Sequence, residues 1–143
     1  MNIFRNIIAV ILGAIIGAML NGWIIGISGD LVPLPEGVNP NDINSIKENI
    51  HLYTPVQLLM PFLAHALGAL VGAIIAGLTA YSHKMKFAIS IGALFLIGGI
   101  MMVVMLPEAP LWFSITDILF AYIPMGYLGG LIALNFTPEP EKV

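Results

Sequence analysis

The sequence predicts an all-α protein, an integral membrane four-helix bundle with both termini on the cytoplasmic side and a long outer loop carrying a short amphipathic helix. Composition is the first observation behind this. Hydrophobic residues make up 59% of the 143 and charged residues 9%, against roughly a quarter charged in soluble domains. So few charges cannot clothe a water-facing surface, and lipid must cover much of the chain. The second observation is four apolar runs long enough for a hydrocarbon core of roughly 30 Å, which takes about 20 helical residues. The third is that these runs are continuously apolar and do not alternate, which favours helices over barrel strands. The length suits a single membrane domain, residues 1–143.

The first run, Ile7 to Ile27, is uncharged. The basic start at Arg5 resembles a signal peptide, but the run outlasts an h-region and no A-x-A site follows, so it is expected to be a retained helix. The outer loop, residues 28–55, opens with Pro33-Leu34-Pro35-Glu36-Gly37, an extended stretch. Asn39 to Asp42 then form a cap ahead of a short helix in which Ile43, Ile46, Ile50 and Tyr53 recur at helical spacing. The second span, Val56 to Ala80, holds one ionisable group, His65. The basic turn Tyr81 to Lys86 separates it from the third, Phe87 to Leu106. Pro107-Glu108-Ala109-Pro110 ends the third span, and the fourth, Trp112 to Phe136, holds Asp117.

Orientation follows from the basic residues. Arg5, Lys84, Lys86 and Lys142 fall on one side and only Lys47 on the other, which places the termini in the cytoplasm. Trp23, Tyr53 and Trp112 then sit toward the outer interface. The acidic balance, formally −3, argues against nucleic acid as a partner. With no cysteine there is neither a disulfide framework nor thiol chemistry.

In lipid, helices associate through small residues that let backbones approach. Gly13 and Gly17 form a G-x-x-x-G pair in the first span, continued by Asn21. Gly68 and Gly72 follow Gln57, Pro61 and His65 on one face of the second. Gly92 and Gly99 serve the third, and Gly129 the fourth. The stretches Leu12 to Leu20 and Leu67 to Ile75 share the pattern Leu-Gly-Ala-x-x-Gly-Ala, as an inverted repeat would. Small-residue packing accounts for the likeness equally well.

His65 and Asn21 lie on these protein-facing surfaces. Counting the helical rise from the outer ends puts Asp117 roughly 8 Å deep, Asn21 about 9 Å and His65 about 13 Å. The expected site is a polar cluster of Asn21, His65 and Asp117, joined by Gln57, Ser114, Thr116 and Tyr122. An ionised residue at mid-bilayer costs about 2.5–3.5 kcal/mol, so such groups are a functional hypothesis by default. A histidine–carboxylate pair is also a proton-sensitive element near neutral pH. Pro61 and Pro124 are expected to kink their helices and free the carbonyls of Gln57 and Phe120. Met101, Met102 and Met105 form a flexible apolar patch, and His51 and His83 read as loop residues. No motif names a cofactor, a metal or a catalytic constellation.

Pro35-Glu36-Gly37, the run Pro61 to Gly68, the run Leu106 to Phe113, Asp117, and Ala121 to Met125 together resemble a family of small four-helix bacterial inner-membrane proteins with no established activity. The resemblance implies the bacterial inner membrane and this topology. It lends no substrate and no catalytic residue. The expected function is binding or transport of a small solute, ion or lipid at the outer-half polar site, with a homo-oligomer or a larger membrane complex as setting. The alternatives are an assembly subunit whose polar groups pair helices, and an intramembrane enzyme using His65 and Asp117 as acid and base.

Overall fold

The computed structural model describes residues 2–40 and 42–138. Its elements are α1 (Ile3–Leu31), α2 (Ile43–Asn49), a 3-10 turn (Ile50–Leu52), α3 (Pro55–Thr79), α4 (Lys84–Met105), α5 (Leu111–Phe120) and α6 (Ile123–Phe136). α1, α3, α4 and the α5–α6 pair are each long and apolar enough to cross a membrane. The chain is a multi-pass membrane protein by that criterion. Asn41, in the expected cap of α2, and Lys142, used to orient the chain, lie outside the described residues.

Three elements differ from the sequence expectation, the smallest change being in α4, which starts three residues before Phe87, at Lys84 within the expected basic turn. α1 is about a turn longer at each end than 7–27: it runs on through the more polar Ser28-Gly29-Asp30 to Leu31, and the Asn2 side chain accepts from the Arg5 amide to start the helix earlier. The fourth span is not one kinked helix over 112–136 but two helices that part at Ala121 and Tyr122. Pro124 cannot donate a backbone hydrogen bond and its ring crowds the preceding turn. α5 therefore closes with Ala121 N on Asp117 O at 2.9 Å, and α6 restarts with Gly126 N on Tyr122 O at 2.8 Å. α3, by contrast, runs unbroken through Pro61. It starts cleanly, with Pro55 in its first turn and a reciprocal cap between Thr54 and Gln57.

α3 is the central helix, packing against α1, α4 and α6. Its meeting with α1 is a backbone contact. A Cβ added at Gly13 would stand 2.5 Å from the Gly72 carbonyl oxygen, and one at Gly17 the same distance from that of Gly68. The antiparallel heptads 12–18 and 67–73 thus lie face to face, their glycines paired. On the other side of α3, Gly129 of α6 sits against Ala73 and the Leu70 carbonyl, and Gly77 against Ala133. Ala73, Ala76, Ala88 and Ile91 fill the space between, with Val10, Ala14 and Phe95 at its edge.

At the end of the bundle where α1 starts and α6 ends, basic side chains close α3. Lys84 is buried, and its ammonium donates to the carbonyls of Ala80 at 2.9 Å and Gly77 at 3.3 Å and to the Thr137 hydroxyl at 3.2 Å. Arg5 Nε donates to Thr79 O at 2.8 Å, and buried Asn6 accepts from the Tyr81 amide at 2.7 Å. A cation here satisfies orphaned carbonyls and opposes the negative end of the helix dipole. Lys84→Met is therefore expected to lower stability by roughly 1–3 kcal/mol. Lys86→Met, on an exposed side chain, should stay within about 0.5 kcal/mol. Thermal melts of the two variants in detergent check the difference.

At the opposite end the loop folds back over the helices. Asp42 caps α2 by accepting from the Asn44 amide at 2.9 Å. Ile46, Ile50 and Tyr53 then pack with Leu58, Leu106, Ala109 and Phe113, which joins the loop to α3, α4 and α5.

Candidate functional site

Three helices converge on one polar cluster. His65 projects from the middle of α3, Asp117 from α5, and Tyr122 from the break between α5 and α6. His65 Nδ1 lies 2.9 Å from Asp117 Oδ1 and 3.1 Å from Oδ2. The Tyr122 hydroxyl donates to Asp117 Oδ2 at 2.6 Å and stands 3.0 Å from His65 Nδ1. The imidazole also stacks on the phenol, with centroids 5.7 Å apart. Asp117 is an acceptor on both oxygens, so a proton on His65 Nδ1 satisfies the pair, and the fixed tautomer follows from that bond. All the contacts of His65 run through Nδ1, which leaves Nε2 without a hydrogen-bond partner among the described residues.

Burial divides the labour. The Asp117 side chain is 5% exposed and that of His65 18%, so the carboxylate is sealed while one edge of the imidazole reaches open space. Tyr122 is almost wholly buried. Its ring occupies the volume a side chain at position 99 would need, since a Cβ added at Gly99 would overlap the phenol. Gly99 reads from sequence as a helix-packing glycine, and its structural neighbour is this one side chain. Gly92 does the same for the backbone of the break, where an added Cβ would lie 2.7 Å from Tyr122 O. The helix break aims Tyr122 at Asp117, and the two α4 glycines make room for it.

The other residues expected in the cluster lie around it without joining it. Ser114 is buried one turn before Asp117 on α5. Asn21 faces the α1–α3 crossing, its Cβ beside Gly68, and makes no hydrogen bond to the cluster among the described residues. Gln57 serves the loop: Oε1 accepts from the Thr54 amide at 2.8 Å and Nε2 donates to the Pro33 carbonyl at 2.6 Å. Thr116 turns back onto its own helix, donating to Trp112 O at 2.7 Å. Pro61 lies on the cavity wall, and Pro124 sets the break.

The open edge of His65 borders a cavity of about 1200 Å³. Its walls come from α1 (Ala14, Ala18, Ile25), α4 (Leu94, Phe95, Met101, Met102) and α3, and Pro33 to Val38 of the loop lie across the top. Sequence reasoning did not find this space, because it arises where two distant helices diverge. The methionine patch, read as merely flexible, is part of its wall. Tyr53, half-buried under the loop, has its phenol pKa pushed up by burial and so stays a neutral hydroxyl. The lining holds His65, Asp117, Asp30 and Glu36 but no lysine or arginine among the described residues.

Chemically, the cluster offers an imidazole nitrogen held in place by a buried carboxylate and a phenol. Such a nitrogen can accept a hydrogen bond or a proton from a bound molecule. Comparisons with protein-family models, with curated proteins and with solved structures returned no match.

Proposed function

We propose that this chain is a non-enzymatic membrane protein that binds, and in doing so moves, a small molecule in the cavity beside His65, Asp117 and Tyr122. One observation carries the reading. A buried hydrogen-bonded cluster opens the unpartnered Nε2 of His65 onto a cavity of about 1200 Å³, somewhat larger than a typical ligand site of about 300–1,000 Å³. Polar groups that served only to pair helices would be consumed by their partners, and His65 Nε2 is not.

The proposed setting is the bacterial inner membrane, with the termini and the basic turn in the cytoplasm by the excess of Arg5, Lys84 and Lys86 at that end. The cavity then belongs to the outer half. The surrounding lipid, further copies of the chain or a larger membrane complex are the proposed partners.

Gentle extraction followed by native mass spectrometry tests this. The wild type is expected to retain a small molecule that His65→Ala loses while its circular dichroism stays helical. An empty wild type, with variants that only melt earlier or release a partner chain, would favour the assembly-subunit reading. A retained molecule that is chemically converted, and only when His65 is present, would favour the enzyme.

A further inference from the structure

The way into the cavity narrows what it holds. α1 and α4 touch low in the bundle, where added Cβ atoms at Gly13 and Gly17 would meet Ile91 and Phe95. Higher up, Gly22, Gly26 and Gly29 of α1 and Gly98 of α4 have nothing within 4 Å of such a Cβ. The cavity, lined by Asn21, Ile25 and Gly29 of α1 and by Gly98, Met101 and Met105 of α4, separates the two helices toward the loop end. By the helical rise, Ala18 lies roughly 22 Å along α1 and Gly98 roughly 21 Å along α4, both counted from the end where α1 starts, so the two stand level. Both are exposed and both line the cavity. This gap faces sideways, where a bilayer would lie. The end toward water is different. There Pro33, Leu34, Pro35, Val38 and Pro40 cover the space, and the Gln57–Pro33 hydrogen bond fastens that cover to α3.

Charge and hydrogen bonding narrow it again. No cation among the described lining residues stands ready for a phosphate or a carboxylate, and Asp117 would repel either in a medium of low dielectric. The unpartnered group is an acceptor, Nε2 of a histidine whose proton is held on Nδ1. A hydroxyl satisfies it. Most of the remaining lining is apolar and partly methionine, which adapts to a flexible chain, with Asn21, Gln57 and Ser114 as further polar groups on the α1, α3 and α5 walls.

Resting on the binding function proposed above, we infer that the ligand is an uncharged long-chain alcohol that enters from the bilayer between α1 and α4 and donates its hydroxyl to His65 Nε2. The chain lies along Leu94, Phe95, Met101 and Met102. The roof of the loop keeps water from competing for the imidazole. Recognition is by shape and one hydrogen bond, so selectivity among alcohols comes from the bulk of the chain near the hydroxyl.

The test uses the full chain in nanodiscs with a diazirine-bearing hexadecanol, and the matching hexadecanoic acid beside it. The alcohol is expected to label peptides spanning Phe95 to Met105, in competition with plain hexadecanol. The acid should label roughly tenfold less, since a second carboxylate beside Asp117 is repelled. His65→Ala and Gly98→Trp should each cut labelling by the alcohol roughly tenfold, about 1.4 kcal/mol of binding. Gly98 stands in open space, so its variant should keep the wild-type melting temperature. Labelling that ignores both variants reports lipid around the protein and overturns the inference, as does equal labelling by the acid. A water-soluble molecule that co-purifies, survives Gly98→Trp and is lost with His65→Ala overturns the alcohol and the lateral entry while leaving the binding function intact. If neither probe labels the cavity and nothing co-purifies, both proposals fall.

Discussion

Gly13→Leu is expected to destabilise the bundle severely, whereas Gly22→Leu on the same helix is expected to leave it as stable as the wild type. At position 13 the first added atom would already stand 2.5 Å from the Gly72 carbonyl, 3.0 Å from the Ala76 methyl and 3.2 Å from Ile91. A carbonyl oxygen in a helix cannot swing aside as a side chain can, so α1 must move away from α3. In a bilayer that separation is costly. Lipid tails are as apolar as leucine, and what holds these helices together is close van der Waals fit with weak Cα–H···O contacts. Both vanish together once the backbones part. The expected loss is about 3 kcal/mol or more, at the upper end for overpacking, against a total stability of only about 5–15 kcal/mol. At Gly22 the first added atom has nothing within 4 Å, and leucine improves local helix propensity by a few tenths to about 1 kcal/mol. Size-exclusion profiles and melts in one detergent decide the matter. Equal behaviour of the two variants would mean that α1 and α3 do not cross through Gly13 and Gly72.

The contrast between these glycines also shows what sequence can reveal here. The four spans are legible because they are a one-dimensional property, apolar length against bilayer thickness. The pairing of Gly13 and Gly17 with Gly68 and Gly72 is half legible, since small residues at four-residue spacing mark a packing face without saying which face meets it. The duplicated Leu-Gly-Ala-x-x-Gly-Ala pattern takes its meaning from the fold, as two copies packed on each other. Helix ends escape a hydropathy reading because a helix does not stop where its apolar run stops, as α1 shows beyond Ile27. Pro124 signals a disturbance in the fourth span, but a kink and a full break differ only in what the next side chain finds. Tyr122 finds Asp117 and an empty slot at Gly99, and that combination holds the break open. Asn21 lies within about a turn of His65's depth and Gln57 shares its face of α3, yet packing gives the first to the α1–α3 crossing and the second to the loop. Depth and face cannot decide such matters, because hydrogen-bond partners are set by tenths of an ångström.

Asp117→Ala is expected to cost about 2–5 kcal/mol, as removing the acceptor shared by two buried donors does, while Tyr122→Phe costs about 1–2 kcal/mol. The difference lies in what each variant strands. Without the carboxylate, the Tyr122 hydroxyl and the His65 Nδ1 proton both lose their acceptor in a site sealed from water, and the phenol cannot turn outward because Gly99 and α4 enclose its ring. Without the phenol hydroxyl, Asp117 keeps His65, and the phenylalanine ring fills the same slot. The two effects are also coupled. Residues of one hydrogen-bond network give double-mutant energies that do not add, so Tyr122→Phe should be nearly silent in the Asp117→Ala background. Urea or thermal denaturation of the two single variants and the double variant measures that coupling. Additive losses would mean that the three side chains are neighbours without being a unit. That outcome would also remove the reason for His65 to hold its proton on Nδ1, and with it the acceptor that the cavity presents to a ligand.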